Sequence, residues 1–284
     1  MEKFKKFFIS SKPGIAIFVG ITALASAYLG SSDPKRDILK IIFVGLGVVL
    51  SAGGSAIINN VLDRELDKLM TRTSKRPTAT GEISPNEGIA VAVFLIILGL
   101  TLVFSFGGVV PFLLNFLAVI LYDLLYTLIL KRKSPFGVIL GGLPGSLPTL
   151  IGYYSTAGRF DVLPLILFYF MFFWQPPHFW ALAIKYKEDY AKANLPVLPL
   201  IYGEKFTKVQ SIIHSVLLLP AVLIPVFFGF VKPIFLLLTL PLLLGFIGLN
   251  ILSLYLQIDL KRLFAFSNLL LISYFLAFVL SKQG

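Results

Sequence analysis

The sequence predicts an all-α polytopic membrane protein with about nine transmembrane helices. Among its 284 residues, 57% are hydrophobic and 14% are charged, proportions typical of chains that lie mostly in lipid. Each of nine apolar runs is about long enough, as a helix, to cross roughly 30 Å of hydrocarbon. These runs cover residues 15–29, 38–58, 87–106, 109–130, 136–157, 162–184, 211–231, 233–256 and 263–281. The third and fourth runs are separated only near Gly107, Gly108 and Pro111.

The distribution of basic residues predicts the orientation of the chain. With nine spans, 19 of the 25 Lys and Arg residues fall on one side of the membrane, in segments 1–14, 59–86, 131–135, 185–210 and 257–262. Short cytoplasmic loops carry such an excess of positive charge, so we expect a cytoplasmic N-terminus and a C-terminus outside. These loops account for the net charge of +11. Because the charge is not gathered in a basic, aromatic-rich domain, no nucleic-acid partner is expected.

The N-terminal segment imitates a secretory signal peptide. Lys3, Lys5 and Lys6 precede the first apolar run, and Ala25-Ser26-Ala27 lies near its end. We expect this run to be retained as the first span, since a chain with many later spans needs no such signal. The lack of an Arg- and Ser-rich presequence favours a prokaryotic plasma membrane over a mitochondrial inner membrane. The sequence contains no cysteine, which excludes disulfides and thiolate metal sites.

Three polar side chains recur at every fourth residue where the second apolar run ends: Asn59, Asp63 and Asp67. On an α-helix they would drift by only about 80° while climbing about 12 Å, and so would form one column. Two carboxylates and an amide at this depth suit Mg²⁺ bound together with phosphate oxygens. The alternative is an ordinary solvated helix end, although acids at membrane depth are more often functional.

Two predicted cytoplasmic loops are long, at about 59–86 and 185–210. Long loops in a compact chain are usually functional or disordered, and both loops place acids beside bases. Their candidate residues beyond the column are Arg72, Lys75, Arg76, Lys185, Asp189 and Tyr190. Such a mixture suits a metal-bridged polyphosphate, with carboxylates for the cation and bases for the remaining oxygens. Attraction to anionic lipid headgroups is the alternative, and it leaves the spaced acids unexplained.

An acidic residue also lies within the fourth apolar run. Asp123 precedes Lys131 by about two helical turns, and Tyr126 and Thr127 lie between them. An acid inside a span normally faces a polar cavity or a partner, whereas the tyrosine and threonine either share that face or belong to an interfacial belt. The segment 141–148 that follows is rich in Gly and Pro, which is typical of close helix packing or of a kink beside a cavity.

The segment Trp174–Trp180 places two prolines inside the sixth apolar run. Its sequence is Trp-Gln-Pro-Pro-His-Phe-Trp, and it contains both tryptophans of the chain. Paired prolines disturb a helix and are tolerated in a span where the freed groups find other partners. His178 would either ligate a metal or relay protons, or else hydrogen-bond a neighbouring helix. His214 lacks such neighbours and is interpreted as structural.

These motifs together resemble the UbiA-type intramembrane prenyltransferases. The column Asn59, Asp63 and Asp67 is similar to the first aspartate-rich motif of that superfamily. Four further segments resemble its heme-farnesylating branch, and they are Thr73–Pro77 with Gly81–Pro85, Tyr126–Thr127 with Leu130–Arg132 and Pro135, Trp174–Trp180, and Asp189–Tyr190 with Asn194–Pro199. Relatives that act on aromatic acceptors carry a second Asp-x-x-x-Asp, where this loop offers only Glu188 and Asp189.

The resemblance implies a single transmembrane domain over residues 1–284, with nine helices around a central cavity. The reaction it implies moves a farnesyl group from farnesyl diphosphate to a vinyl group of heme b, with addition of water, to give heme O. Heme b would be a substrate and not a permanent cofactor. Mg²⁺ would be bound with the diphosphate by Asn59, Asp63, Asp67 and Asp189. The catalytic residues would be Asp63, Asp67, Arg76 and Lys131. The substrate-binding residues would be Asn59, Asn60, Arg72, Lys75, Asp123, Tyr126, Arg132, Trp174, His178, Lys185, Asp189 and Tyr190.

Two other functions compete with this one. The first is a superfamily member with a quinone-precursor or chlorophyll-like acceptor, against which the segment Trp174–Trp180 argues. The second is a cation-coupled transporter, whose halves tend to repeat around broken helices near the midplane. The sequence shows no convincing repeat, and its charged segments lie at one membrane face. In the favoured interpretation the partners are farnesyl diphosphate, heme b and the lipid bilayer, with a heme A synthase or a terminal oxidase receiving heme O.

Overall fold

The computed structural model describes residues 2–282, which are helical apart from turns, loops and one isolated bridge between Val231 and Lys282. The first half forms α1 (Glu2–Ser10), α2 (Pro13–Gly30), α3 (Ile38–Leu62), α4 (Arg64–Leu69), α5 (Pro85–Gly107), α6 (Val109–Ile120), a π-helix (Leu121–Leu130), α7 (Lys131–Lys133), α8 (Gly137–Leu140) and α9 (Gly142–Ala157). The second half forms α10 (Val162–Lys185), α11 (Lys187–Lys192), α12 (Leu198–Ile201), α13 (Gly203–Val216), α14 (Leu219–Phe227), α15 (Ile234–Leu252) and α16 (Leu260–Ser281).

The predicted all-α membrane class is confirmed. Within residues 2–282, eight helical units are long and apolar enough to cross a membrane, namely Pro13–Gly30, Ile38–Leu62, Pro85–Gly107, Val109–Lys133, Val162–Lys185, Gly203–Phe227, Ile234–Leu252 and Leu260–Ser281. The remaining predicted run, 136–157, is divided at Gly141 into α8 and α9. Because α9 has 16 residues, its length is only about 24 Å. The ninth span and the orientation of the N-terminus therefore stay predictions.

Most helix boundaries lie close to the predicted ones. Gly108 separates α5 from α6 with a φ of 89°, a conformation that favours glycine, so the break expected near 107–111 is present. The exception is α13, which begins at Gly203 and not at residue 211. Much of the loop predicted at 185–210 is consequently helical, since it contains α11, α12 and the start of α13.

The central helix of the first half is α3, which packs against α2, α5, α9 and the π-helix. Glycines allow the closest of these contacts. A Cβ atom at Gly54 would lie 2.7 Å from the carbonyl oxygen of Ala92, and one at Gly47 would lie 2.7 Å from that of Gly99. Small residues let helix backbones approach in this way within membranes. The end of α3 that carries Asn59 is thereby held against its neighbours.

The second half of the chain has its own aromatic core, formed by α10, α14, α15 and α16. Phe170 on α10 stacks on Tyr274 of α16 with a ring-centroid distance of 3.6 Å. The Tyr274 hydroxyl donates to the carbonyl oxygen of Ala221 at 3.1 Å. These contacts fix the rotation of α10, and therefore decide which residues of its Trp174–Trp180 segment face α16.

The contact between α2 and α9 gives a first testable prediction. A Cβ at Gly152 would lie 2.0 Å from the carbonyl oxygen of Ala23, which neither helix can accommodate without moving apart. Gly152→Ala should therefore lower the melting temperature of the detergent-purified protein by several degrees, since overpacking costs about 1–3 kcal/mol. Gly248→Ala is the matched control, because a Cβ there meets nothing within 4 Å and alanine favours a helix. Equal melting temperatures for the two variants would contradict this contact.

Candidate active site

Asn59, Asp63 and Asp67 form the predicted column at the loop end of α3. Asp63 lies at the junction of α3 and α4, with φ −94° and ψ 4°. The four-residue repeat nevertheless continues, because the Asp63 amide donates to the Asn59 carbonyl at 2.9 Å and the Asp67 amide to the Asp63 carbonyl at 2.8 Å. The side chains of all three are buried, and both aspartates have no exposed surface. The helix end is therefore not a solvated one.

Each buried aspartate is paired with basic side chains from another part of the chain. Asp63 contacts Lys131 and Arg132, which follow the π-helix, and the Arg132 Nη2 to Asp63 Oδ1 distance is 3.1 Å. Asp67 accepts two hydrogen bonds from Nη1 of Arg76, at 3.0 and 2.8 Å. A buried carboxylate is costly without such compensation. The site therefore consists of two neighbouring acids and their basic partners, which together come from three segments of the chain.

Lys12 is a member of this site that the sequence analysis did not identify. It precedes α2 in a left-handed conformation (φ 48°), and its Nζ donates to Oδ1 of Asn59 at 2.6 Å. The Asn59 amide in turn donates to Asp63 Oδ2 and to the Thr127 hydroxyl, both at 3.1 Å. Burial, together with the positive charges of Arg76 and Lys131, lowers the pKa of Lys12 to about 7. The available signal was a single lysine directly before Pro13, at the start of the first apolar run.

The second long loop reaches the first one through Asp189. The backbone amide of Arg72 donates to Asp189 Oδ2 at 2.9 Å, and Lys192 Nζ lies 3.6 Å from Oδ1. Burial opposes ionisation of this carboxyl, but hydrogen bonds from Arg72 and Thr71 outweigh it and lower the pKa of Asp189. Beneath this contact lies one apolar cluster, made of Met70, Trp180, Ala183, Tyr190, Ala193, Leu195 and Leu198. The two loops thus form one unit.

Asp189 does not join the two column aspartates in one place. Among residues 2–282, no group of three His, Asp or Glu side chains lies close enough to hold a metal ion. The predicted set of Asn59, Asp63, Asp67 and Asp189 is therefore not assembled around a single point in this structure. The physical reason is that the Asp189 carboxylate accepts a hydrogen bond from the backbone amide of Arg72.

Several predicted substrate-binding residues lie at the edge of the site. Arg72 is exposed, with its guanidinium 5.2 Å from the centre of the Tyr186 ring, and Lys75 is exposed as well. Asn60 points away from the column and donates to the carbonyl oxygen of Ser10 at 2.8 Å, which ties α1 to α3. Lys185 lies 3.8 Å from Asp259, on the connection that precedes α16. The structure therefore gives Asn60 and Lys185 contacts outside the site.

A cavity of about 150 Å³ lies below the column, between α2, α3, α6 and α9. Most of its lining is apolar and small, including Val19, Val48, Ala52, Ala56 and Pro148. The polar groups that reach it are those of Lys12, Ser51, Ser55, Asn115, Tyr122 and Gln175. Lys12 is the charged residue among the lining side chains, and it lies between the cavity and the column.

The Trp174–Trp180 segment lies inside α10, which continues through Pro176 and Pro177. The Trp174 indole donates to the carbonyl oxygen of Ser267 on α16 at 2.8 Å. Gln175, in contrast, faces α9, where it donates to the carbonyl oxygen of Gly142 at 2.9 Å, and it lines the cavity. Gln175 is therefore the residue of this motif that reaches the cavity, and it was not among the predicted site residues.

His178 makes the contacts of a helix-packing residue. Its ring stacks between those of Trp174 and Phe264, with centroid distances of 4.2 and 4.1 Å. Its Nδ1 lies 2.6 Å from the Ser267 hydroxyl, which itself donates to the Phe264 carbonyl at 2.7 Å. Nδ1 is therefore assigned as the donor, and Nε2 keeps a lone pair. A contact between His178 and heme stays a prediction.

Comparison with known proteins gives the family. The sequence matches the UbiA prenyltransferase family over residues 16–279. This chain belongs to the UbiA prenyltransferase family. It is 40% identical over 247 residues to protoheme IX farnesyltransferase of Aquifex aeolicus (strain VF5), covering 87% of this chain and 84% of that one. It is also 38% identical over 238 residues to protoheme IX farnesyltransferase 1 of Pseudomonas putida (strain W619), covering 84% of this chain and 80% of the relative.

Solved structures show the same fold. One structure, described for digeranylgeranylglyceryl phosphate synthase, superimposes with a TM-score of 0.79 at 23% identity and covers 99% of both chains. A UbiA homologue from Archaeoglobus fulgidus, bound to DMAPP and Mg²⁺, superimposes with a TM-score of 0.70 at 19% identity, covering 96% of this chain and 99% of that one. The resemblance drawn from the sequence motifs is thus confirmed for the family and for its fold.

Proposed function

We propose that this UbiA-family protein transfers a farnesyl group from farnesyl diphosphate to a vinyl group of heme b, with addition of water, to give heme O and diphosphate. The observation that carries the chemistry is the pair of buried aspartates, each held by basic side chains, directly above an apolar cavity. The relatives named protoheme IX farnesyltransferase support heme as the acceptor. They also favour it over a quinone precursor, and nothing in the site favours a transporter.

The donor set suits Mg²⁺. Asp63 and Asp67 supply carboxylate oxygens on successive turns. The amide oxygen of Asn59, one turn below, accepts from Lys12 in this structure and would have to turn toward Asp63 to join them. Hard cations prefer such oxygen ligands together with substrate phosphates. The Archaeoglobus fulgidus homologue bound to DMAPP and Mg²⁺ supports the same pairing. Bound there, the ion would neutralise charge on the diphosphate, and Asp189 would contribute only after its carboxylate leaves the backbone amide of Arg72.

The bases of the site would hold the diphosphate. Arg76, Lys131 and Arg132 rest on the two aspartates in this structure, so they lie within a side-chain movement of any phosphate bound to those carboxylates. Lys12 adds a further basic group between this site and the cavity. Preorganised positive groups stabilise negative charge that develops as the carbon–oxygen bond of the donor breaks. Arg72 and Lys75, at the exposed rim, would meet the diphosphate first.

The cavity would receive the isoprenoid chain. Its small apolar lining matches a branched hydrocarbon, and an enclosed site that excludes bulk water keeps the allylic cation from being captured before the acceptor reacts. Tyr126 packs beside Gly141 at the cavity wall. Trp174 and His178 lie on the face of α10 turned toward α16, so contact with the macrocycle there would require heme to enter between those helices.

The protein would act in the plasma membrane of a prokaryote, where heme b and farnesyl diphosphate both partition toward the bilayer. Heme O would then pass to a heme A synthase or directly to a terminal oxidase. The orientation that places the column and both long loops on the cytoplasmic side follows from the excess of Lys and Arg in those segments.

Reconstitution tests this function directly. The purified protein in lipid vesicles, given heme b, farnesyl diphosphate and Mg²⁺, should convert heme to a product heavier by one farnesyl group and one hydroxyl group. The product is identified by mass spectrometry of the extracted pigments. Conversion of a quinone precursor in place of heme b under the same conditions would overturn the assignment of the acceptor.

The column aspartates should be essential for turnover. Asp63→Asn and Asp67→Asn each remove one charge that holds the metal and the diphosphate, so either should lower the rate of diphosphate release by at least about 100-fold. Glu65→Gln is the matched control on α4, because Glu65 is exposed and its ion pairs within residues 2–282 are with Arg64 and Lys68 at the surface. Normal turnover of either aspartate variant at limiting Mg²⁺ would refute its role as a ligand.

Arg76 should bind two phosphate oxygens at once. Arg76→Lys keeps the charge but loses the planar fork, so the affinity for farnesyl diphosphate should fall by roughly 10-fold. The same change at Arg64, which lies on the exposed side of α4, should leave that affinity unchanged. Affinity is measured by displacement of a labelled prenyl diphosphate in detergent. Equal affinities for the wild type and Arg76→Lys would indicate that this arginine serves only to neutralise Asp67.

A further inference from the structure

Polar contacts between α3 and the fourth span continue well below the column. At steps of four residues on α3, Ser51 accepts from Asn115 Nδ2 at 2.9 Å, Ser55 donates to Asp123 Oδ2 at 3.0 Å, Asn59 donates to Thr127 at 3.1 Å, and Asp63 is paired with Lys131. We call these four pairs the polar seam. It runs from the predicted diphosphate site down one wall of the apolar cavity, where Ser51, Ser55 and Asn115 are part of the lining.

Asp123 differs from the other acids of the site. Asp63 and Asp67 are neutralised by basic side chains, whereas Asp123 accepts one hydrogen bond, from the Ser55 hydroxyl. Its Oδ1 atom is buried and has no hydrogen-bond partner among the described residues. The residue itself is 5% exposed. A buried carboxyl oxygen left without a partner is costly and calls for an explanation.

The position of Asp123 relates it to the reacting groups. Its partner Ser55 lies about one helical turn, or about 6 Å along α3, below Asn59. It lies about two turns, or about 12 Å, below Asp63. Ser55 and Tyr122, which flank Asp123, line the cavity, and Asp123 lies behind them, outside the lining. Asp123 also lies in the π-helix, a distortion that is frequent at functional sites. The free carboxyl oxygen is therefore at the depth where a prenyl chain anchored above would begin.

The proposed reaction needs an acceptor for one proton. As the carbon–oxygen bond of farnesyl diphosphate breaks, its electron pair leaves with the diphosphate. The π electrons of the vinyl group then form the new carbon–carbon bond, which leaves positive charge on the vinyl carbon next to the pyrrole ring. A water oxygen adds to that carbon, and one proton must leave the water. Without water, the same cation would instead lose a proton from carbon and give an alkene.

We infer that Asp123 is the general base that positions this water and accepts its proton at Oδ1, a role that rests on the proposed function. Ser55 lines the cavity and holds the other carboxyl oxygen, which places Asp123 directly behind the cavity wall. The polar seam provides hydrogen-bonding partners for a water molecule in an otherwise apolar cavity. The proton is released to solvent when the products leave and water enters.

A purely structural role for the Ser55–Asp123 pair makes a different prediction. Hydrogen bonds between side chains commonly join membrane helices. In that case Ser55→Ala would perturb stability at least as much as Asp123→Asn, because an asparagine can still accept from Ser55. Neither change would then alter which product forms.

The test measures product composition in vesicles supplied with heme b, farnesyl diphosphate and Mg²⁺. In Asp123→Asn the ratio of hydroxylated to alkene product should fall by roughly 100-fold, the lower end of what general-base catalysis contributes. The alkene is recognised by a mass lower by one water, and farnesyl transfer itself should continue. Asp161→Asn is the matched control, because it makes the same change at a carboxylate that accepts from Tyr153 at the start of α10, outside the cavity lining, and it should retain the hydroxylated product.

An unchanged product ratio in Asp123→Asn would overturn this role. Should that variant fail to fold, Asp123→Val replaces it, since an apolar side chain leaves no unsatisfied polar atom in the membrane, and the same fall in the ratio is expected. If the wild-type protein itself gave farnesylated heme without the added hydroxyl group, the role of Asp123 would also be overturned. Absence of any farnesylated heme from the wild type would instead refute the proposed function, on which this role depends.

Discussion

The ion pairing of two buried aspartates is the interaction on which the rest of this structure depends. Asp63 and Asp67 have no exposed surface, and an unpaired carboxylate so placed would cost several kcal/mol. Their partners come from elsewhere, Arg76 from the turn after α4 and Lys131 from the end of the fourth span. The fourth span must therefore lie beside α3, and the first long loop must fold back over it. The glycines of α3 allow close packing against α2 and α5.

The same arrangement separates a polar end from an apolar interior. Above the column, the two loops share an apolar cluster and the hydrogen bond between Arg72 and Asp189, so they form one cover. Below it, small side chains leave a cavity between α2, α3, α6 and α9. Lys12 stands between the two regions. A substrate with an anionic head and a hydrocarbon tail fits this division, because the head would meet basic side chains and the tail would meet apolar ones.

Much of the fold could be predicted from the sequence because lipid imposes simple requirements. A span needs a long apolar helix, and eight such units lie within residues 2–282, close to the predicted positions. The segment 136–157 deviates because Gly141 and the prolines that follow divide it, so that only 16 residues form α9. The early start of α13 was missed because its first turns are polar, and hydropathy marks only the part of a helix that lies in lipid.

The column of Asn59, Asp63 and Asp67 was determined by sequence alone, because a four-residue spacing on a helix places side chains on one face whatever lies opposite. The same spacing extends back to Ser55 and Ser51, so the side chains that α3 contributes to the polar seam also follow from the sequence. Its partners were not. Which base meets which acid, the place of Lys12 and the rotation of α10 that turns His178 toward Ser267 depend on segments far apart in the chain. Local periodicity carries no information about such pairs, so only the packing of the helices decided them.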